Sequence, residues 1–85
     1  MHKPIRLSAH AASYITRRGF SPIEVEEAIR TGTWQNARGN RLETAMDFPY
    51  NSVWNGVHYA TKRVRPVFVD EPGEIVVITV YTYYF

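Results

Sequence analysis

The spacing of apolar and polar positions splits this 85-residue chain into a helical opening and an extended remainder. Ser8 precedes Ala9-His10-Ala11-Ala12-Ser13-Tyr14-Ile15-Thr16-Arg17-Arg18, and Gly19 follows. The serine hydroxyl can cap free N–H groups, and the glycine can take the left-handed conformation that ends a helix. At about 100° per residue, Leu7, Ala11, Tyr14 and Ile15 form the apolar stripe. Arg18 falls on the end of that stripe, His10 on its margin, and Arg17 nearer to solvent. A second helix opens at Ser21-Pro22-Ile23-Glu24, a capping box with proline at the first helical position. Val25, Ala28 and Ile29 supply its buried face, Glu26 and Arg30 are an i,i+4 pair, and Gly32 closes it. The two helices meet at Gly19-Phe20-Ser21 as a hairpin or corner.

Beyond Gly32 the period changes. Residues 34–41 read as loop, 41–48 as a strand, and 49–56 as a turn or longer loop containing Asn51, Ser52 and Asn55. Residues 57–70 read as extended but interrupted at Pro66, which predicts an edge position or a bulge. Glu71-Pro72-Gly73-Glu74 is a turn, and residues 74–84 form the strand richest in β-branched and aromatic side chains. The expected fold is a single α+β domain over residues 1–85. Two N-terminal helices would pack on one face of a three- or four-stranded antiparallel sheet.

Alternation along the last strand predicts Val76, Ile78, Val80 and Thr82 on the core face, with Thr79, Tyr81 and Tyr83 opposite. A three-residue Glu-Pro-Gly loop would set Arg65 against Thr79 and Arg63 against Tyr81, keeping both arginines off the core side. A two-residue loop would bury Arg65 at a cost of several kcal/mol, so the first register is expected. The resulting surface carries Arg63, Arg65, Thr79, Tyr81 and Tyr83. Guanidinium groups interleaved with phenols suit RNA, through bidentate phosphate contacts and stacking on unpaired bases. The competing explanation is ordinary cross-strand packing with a wet edge.

Composition narrows the classes. Cysteine is absent, which excludes disulfide scaffolds, thiolate nucleophiles and sulfur-ligated zinc. Apolar residues make up 45% and charged residues 21%, the composition of a folded domain rather than a disordered segment. Residues 75–85 are the longest uncharged apolar stretch, too short to span a bilayer, and no secretory leader opens the chain. A cytoplasmic protein without a membrane role is expected. The net charge is only +2, but it is unevenly distributed. Lys3, Arg6, Arg17 and Arg18 precede any acidic residue, and Lys62-Arg63-x-Arg65 forms a second basic knot that could join them around an anion. His2, His10 and His58 have no metal-ligand spacing. Trp34 and Trp54 read as core or loop anchors.

Four stretches together resemble the DUF4258 family: Leu7-Ser8-Ala9-His10-Ala11, Arg18-Gly19-Phe20-Ser21, Glu24-Val25-Glu26-Glu27-Ala28-Ile29 and Ile78-Thr79-Val80-Tyr81. That family is similar in layout to the RelE/ParE toxins and to the wider barnase–EndoU–colicin–RelE group of metal-independent ribonucleases. The resemblance implies a RelE-like endoribonuclease toxin acting on RNA, free or ribosome-associated, from a toxin–antitoxin or polymorphic toxin system. An antitoxin or immunity protein would be its partner, with a homodimer as one allowed assembly and no cofactor or metal. It places catalytic roles on His10, Arg18, Thr79 and Tyr81. Around them Arg17, Lys62, Arg63, Arg65 and Tyr83 would hold RNA or its phosphates. His10 would move the proton, Arg18 and Arg65 would hold the phosphate, and Glu43 or Lys62 could supply a strand-borne base. The alternatives are an inert binding module using the same basic face, and a structural subunit that completes its sheet with another chain.

Overall fold

A computed structural model describes residues 3–85. In chain order the elements are β1 (Ile5–Leu7), α1 (Ala9–Ala12), α2 (Ile15–Arg18), α3 (Pro22–Thr31), β2 (Gln35–Asn36), β3 (Leu42–Glu43), β4 (Met46–Trp54), β5 (Val57–Asp70) and β6 (Ile75–Tyr84). Strand accounts for 48% and helix for 22%, in a six-stranded mixed sheet with three short helices. The expected pair of helices on a three- or four-stranded antiparallel sheet is therefore corrected, and with it the RelE-like layout.

Three local causes account for the difference. Ile5–Leu7 extends parallel to β6, pairing with Ile75–Val77, so Leu7 belongs to a strand and not to the first helix. That helix then breaks at Ser13-Tyr14. The Ser13 hydroxyl donates back to the His10 carbonyl at 2.6 Å, and Tyr14 N–H bonds to Ala11, three residues back. Finally, Asn55-Gly56 takes positive φ at both positions, 50° and 82°. This is the mirror-image turn that matches strand twist, so residues expected to be loop become the second half of β4.

The predicted helix signals are otherwise present. Ser8 Oγ accepts from Ala11 N–H, and Gly19 is left-handed at φ 73°. Ser21 and Glu24 form the reciprocal capping box, and Arg30 reaches Glu26 at 2.9 Å.

Strand β5 is the spine of the sheet. It pairs with β6 along one side and with β4 and then β3 along the other. Pro66 sits where the second side changes partner. Its carbonyl accepts from Thr44 N–H at 3.3 Å, so its missing N–H faces the gap between β3 and β4. The proline thus lies in a central strand, at the point where the ladder passes from β4 to β3.

The β5–β6 register also differs from expectation. Asp70 pairs with Ile75, but a bulge between Val67 and Phe68 leaves Ile78 unpaired, after which Arg65 faces Tyr81 and Arg63 faces Tyr83. The bulge exchanges the two faces of β6. Ile75 and Val77 enter the core on one side of it and Val80 on the other, joining Phe20, Val25, Ile29, Val64 and Phe68 beneath the helices. No helix among the described residues is long and apolar enough to cross a membrane.

Candidate nucleic-acid interface

The surface away from the core is built by Arg63, Arg65 and Val67 of β5 and, beyond its bulge, by the odd-numbered residues of β6. Arg63 and Arg65 stand beside Tyr81, Tyr83 and Thr79, as polarity alone suggested, although each arginine lies two positions further along β6. The small β2–β3 hairpin, closed by Gly39 at φ 71°, brings Glu43 alongside them.

Two clefts open on this surface. The larger, of about 540 Å³, is lined by Thr33, Gln35, Glu43, Arg63, Arg65 and Tyr83. The smaller, of about 280 Å³, is lined by Arg38, Arg41, Glu43, Arg65, Thr79 and Tyr81. Glu43 and Arg65 form the wall between them.

Arg65 is held loosely. Its Nε lies 3.0 Å from Glu43 Oε2, yet that buried N–H is aligned with no acceptor. Its remaining hydrogen bond, donated to the Tyr83 hydroxyl, is long at 3.4 Å. The guanidinium carbon stands 5.3 Å from the Tyr81 ring centre. Most of its donors are therefore free for an oxyanion such as phosphate. Arg63 is more committed, since Nε and Nη2 grip Asp47 at 2.7 and 3.1 Å. This hydrogen-bonded pairing lowers the Asp47 pKa and raises that of Arg63.

Arg18 joins the helix layer to this surface. Beyond Val77 the outer edge of β6 has no partner strand among the described residues, and Arg18 Nη1 caps it by donating to Val80 O at 2.7 Å, with a longer contact of 3.4 Å to Thr79 Oγ1. The guanidinium carbon is 4.0 Å from the Tyr14 ring centre and 5.1 Å from that of Tyr81. His10 also meets Tyr14, edge-on with ring centres 5.0 Å apart, and is exposed. His10, Tyr14, Arg18, Tyr81 and Arg65 thus make one unbroken line of contacts around the edge of β6. Arg17 is exposed at its Tyr14 end, 5.8 Å from that ring.

Lys62 does not belong to this surface, which corrects its expected role in holding RNA. It is buried on the helix side, where Nζ lies 2.8 Å from Glu24 and donates to Gly19 O at 2.9 Å. Tyr84 packs nearby, stacked on Trp54, and donates to Arg18 O at 2.9 Å. Burial, then the Tyr50 and Glu24 charges, push its phenol up to about 12. Trp34 anchors the other end of the core, edge-on to Phe68 with Nε1 donating to Ile29 O.

Among the described residues no three His, Cys, Asp or Glu side chains gather as a metal site, and His2 lies outside them. Compared with known proteins, the chain matches no family model, no curated protein and no solved structure. Geometry must speak for the site. The residues that sequence reasoning left out are Thr33, Gln35, Arg38 and Arg41. Their only signal was a polar loop with two arginines around Gly39-Asn40, and that stretch carries no strong period.

Proposed function

We propose that the protein is an endoribonuclease, of the toxin kind that its motif resemblance suggests, and that single-stranded RNA lies across the face bearing Arg65 and Tyr81. One observation carries this reading: the continuous line from exposed His10 through Tyr14 and Arg18 to Tyr81 and Arg65. In it a proton carrier and two phosphate-binding cations are linked in series through the rings of Tyr14 and Tyr81. In the proposed reaction the 2′-oxygen attacks phosphorus as its proton passes to a base, and the 5′-oxygen leaves with a proton from an acid. Arg65 and Arg18 stabilise the charge that accumulates on the phosphate, and Tyr81 and Thr79 orient it. Glu43 is assigned the 2′-hydroxyl proton and His10 the leaving oxygen. A cytoplasmic setting, and an antitoxin or immunity partner, go with this reading.

The test is cleavage of total RNA and of ribosome-bound message by purified protein. The wild type is expected to cut, and His10→Ala, Glu43→Gln and Arg65→Met each to lose about 10²-fold or more in rate with the fold intact. A wild type that leaves every RNA intact contradicts the reading. The second reading, an inert binding module, draws on one feature: Glu43, the carboxylate between the clefts, stands against Arg65. Tight, salt-sensitive RNA binding without cleavage would select it.

A further inference from the structure

Cleavage chemistry requires only the phosphate seat, yet the surface continues on both sides of it, and the two sides differ in character. The smaller cleft carries Arg38 and Arg41, both exposed and, among the described residues, without an ion-pair or hydrogen-bond partner. The larger cleft has no unpaired cation: Arg63 is tied to Asp47 and Arg65 adjoins Glu43. Its free groups are the Gln35 amide and the Thr33 hydroxyl, with the Tyr83 ring beside them. Arg65 stands between the two with its buried Nε–H unsatisfied.

We infer that the substrate is single-stranded RNA that straddles Arg65. One nucleobase enters the larger cleft and is read there by Gln35 and Thr33, and the chain's next phosphates lie on Arg38 and Arg41. The division follows from chemistry. A primary amide presents a donor and an acceptor side by side, the pattern that a base edge complements, and a phenol ring offers it a stacking plane. Two unpaired guanidinium groups complement phosphate whatever the sequence. A volume of about 540 Å³ is in the range of small-ligand sites, and a base fits within it. A duplex would hide the base edge, which is why the substrate is single-stranded. This arrangement rests on the RNA reading above and adds to it a base-reading side and a phosphate-holding side.

Fluorescence anisotropy with 5′-labelled hexamers of A, C, G and U separates the two sides. Arg38→Ala/Arg41→Ala is expected to weaken all four oligomers alike. The slope of log affinity against log salt should fall by about 1.4, which is about 0.7 for each phosphate contact on a single strand. Gln35→Ala/Thr33→Val is expected to leave that slope unchanged while reducing the ratio between best and worst oligomer by about tenfold. Both pairs are exposed, and circular dichroism checks their fold. Where the obvious double variant misfolds, Arg38→Gln and Gln35→Leu alone give the same two readouts. An unchanged salt slope in the arginine variant, or an unchanged base ratio in the Gln35 variant, overturns the two-sided arrangement even when the wild type binds and cuts RNA. A wild type that binds none of the four overturns this inference and the RNA reading together.

Discussion

Lys62 separates a folding role from a binding one. Its sequence context, Lys62-Arg63-x-Arg65, suggests a phosphate contact, whereas its position gives it to the core. The side chain is 10% exposed and that of Glu24 20%. Replacing Lys62 by Met keeps most of the aliphatic packing and removes the ammonium from Glu24 and from the Gly19 carbonyl. Taking one partner from a buried pair typically costs about 3–5 kcal/mol. Glu24 keeps some exposure and its hydrogen bond from Ser21 N–H, so the cost falls somewhat below that range, about 2–3 kcal/mol. A chain of this length is stable by about 4–13 kcal/mol, so the loss is large. At roughly 4–8 °C per kcal/mol for a domain of this size, the thermal midpoint should fall by about 10–20 °C. Thermal and urea unfolding followed by circular dichroism measure it. The Glu24→Gln/Lys62→Met double variant should be more stable than the two single effects added together, by about 1–2 kcal/mol. RNA affinity of the folded variant should match the wild type. A wild-type midpoint with weakened RNA binding would refute the reasoning, because Lys62 would then be a surface cation.

Three further outcomes follow from the same contacts. Gly19→Ala forces a left-handed residue to carry a Cβ that meets Trp54 Cζ3 and Cη2 at 2.6 and 2.8 Å and crowds the Tyr84 hydroxyl. Urea titration should show a loss of about 2–4 kcal/mol. Arg18→Met removes the cap on Val80 O and the cation between two rings; it should cost about 1–3 kcal/mol and most of the RNA cleavage, read by unfolding and by a gel assay. Tyr84 keeps its proton to about 12 in the folded state, whereas the unfolded chain releases it near 10. Stability should therefore fall as pH rises from about 10 and the loss should level off past about 12, less steeply in Tyr84→Phe; absorbance at alkaline pH should show one late-titrating phenol.

The helix signals were legible because each is local: Ser8, Gly19, the Ser21–Glu24 box and Gly32 act within a turn of their own position. The strand faces were only half legible. From Ile75 to Ile78 every residue is apolar, so alternation cannot show a bulge there, and the exchange of faces at Ile78 left no trace in the pattern. Arg65 stays off the core by the alternation of β5 itself, opposite to buried Val64 and Phe68. The turn set Asp70 opposite Ile75, a register that alone would put Val80 beside Arg65 and turn Tyr81 inward, and the bulge in β6 brought Tyr81 and Thr79 back to the arginine's face. Strand β1 is three residues long and is held by pairs distant in sequence, Lys3 with Asp70 and Arg6 with Glu74, so no local period announced it. Arg18 and Tyr81, singled out by their motif, and Arg65, singled out by polarity, lie in one line of contacts. Lys62 was misplaced because a basic run does not reveal which of its members turns inward; alternation with Arg63 and Arg65 was the clue.

The most direct test of the account is a map of amide shifts in isotope-labelled protein as a single-stranded RNA hexamer is added. The account predicts perturbations at His10, Arg18, Gln35, Arg38, Arg41, Glu43, Arg65, Thr79, Tyr81 and Tyr83, with Lys62, Trp54 and helix α3 unaffected. Shifts concentrated on α3 and around Trp54, with the Arg65–Tyr81 surface silent, would contradict it.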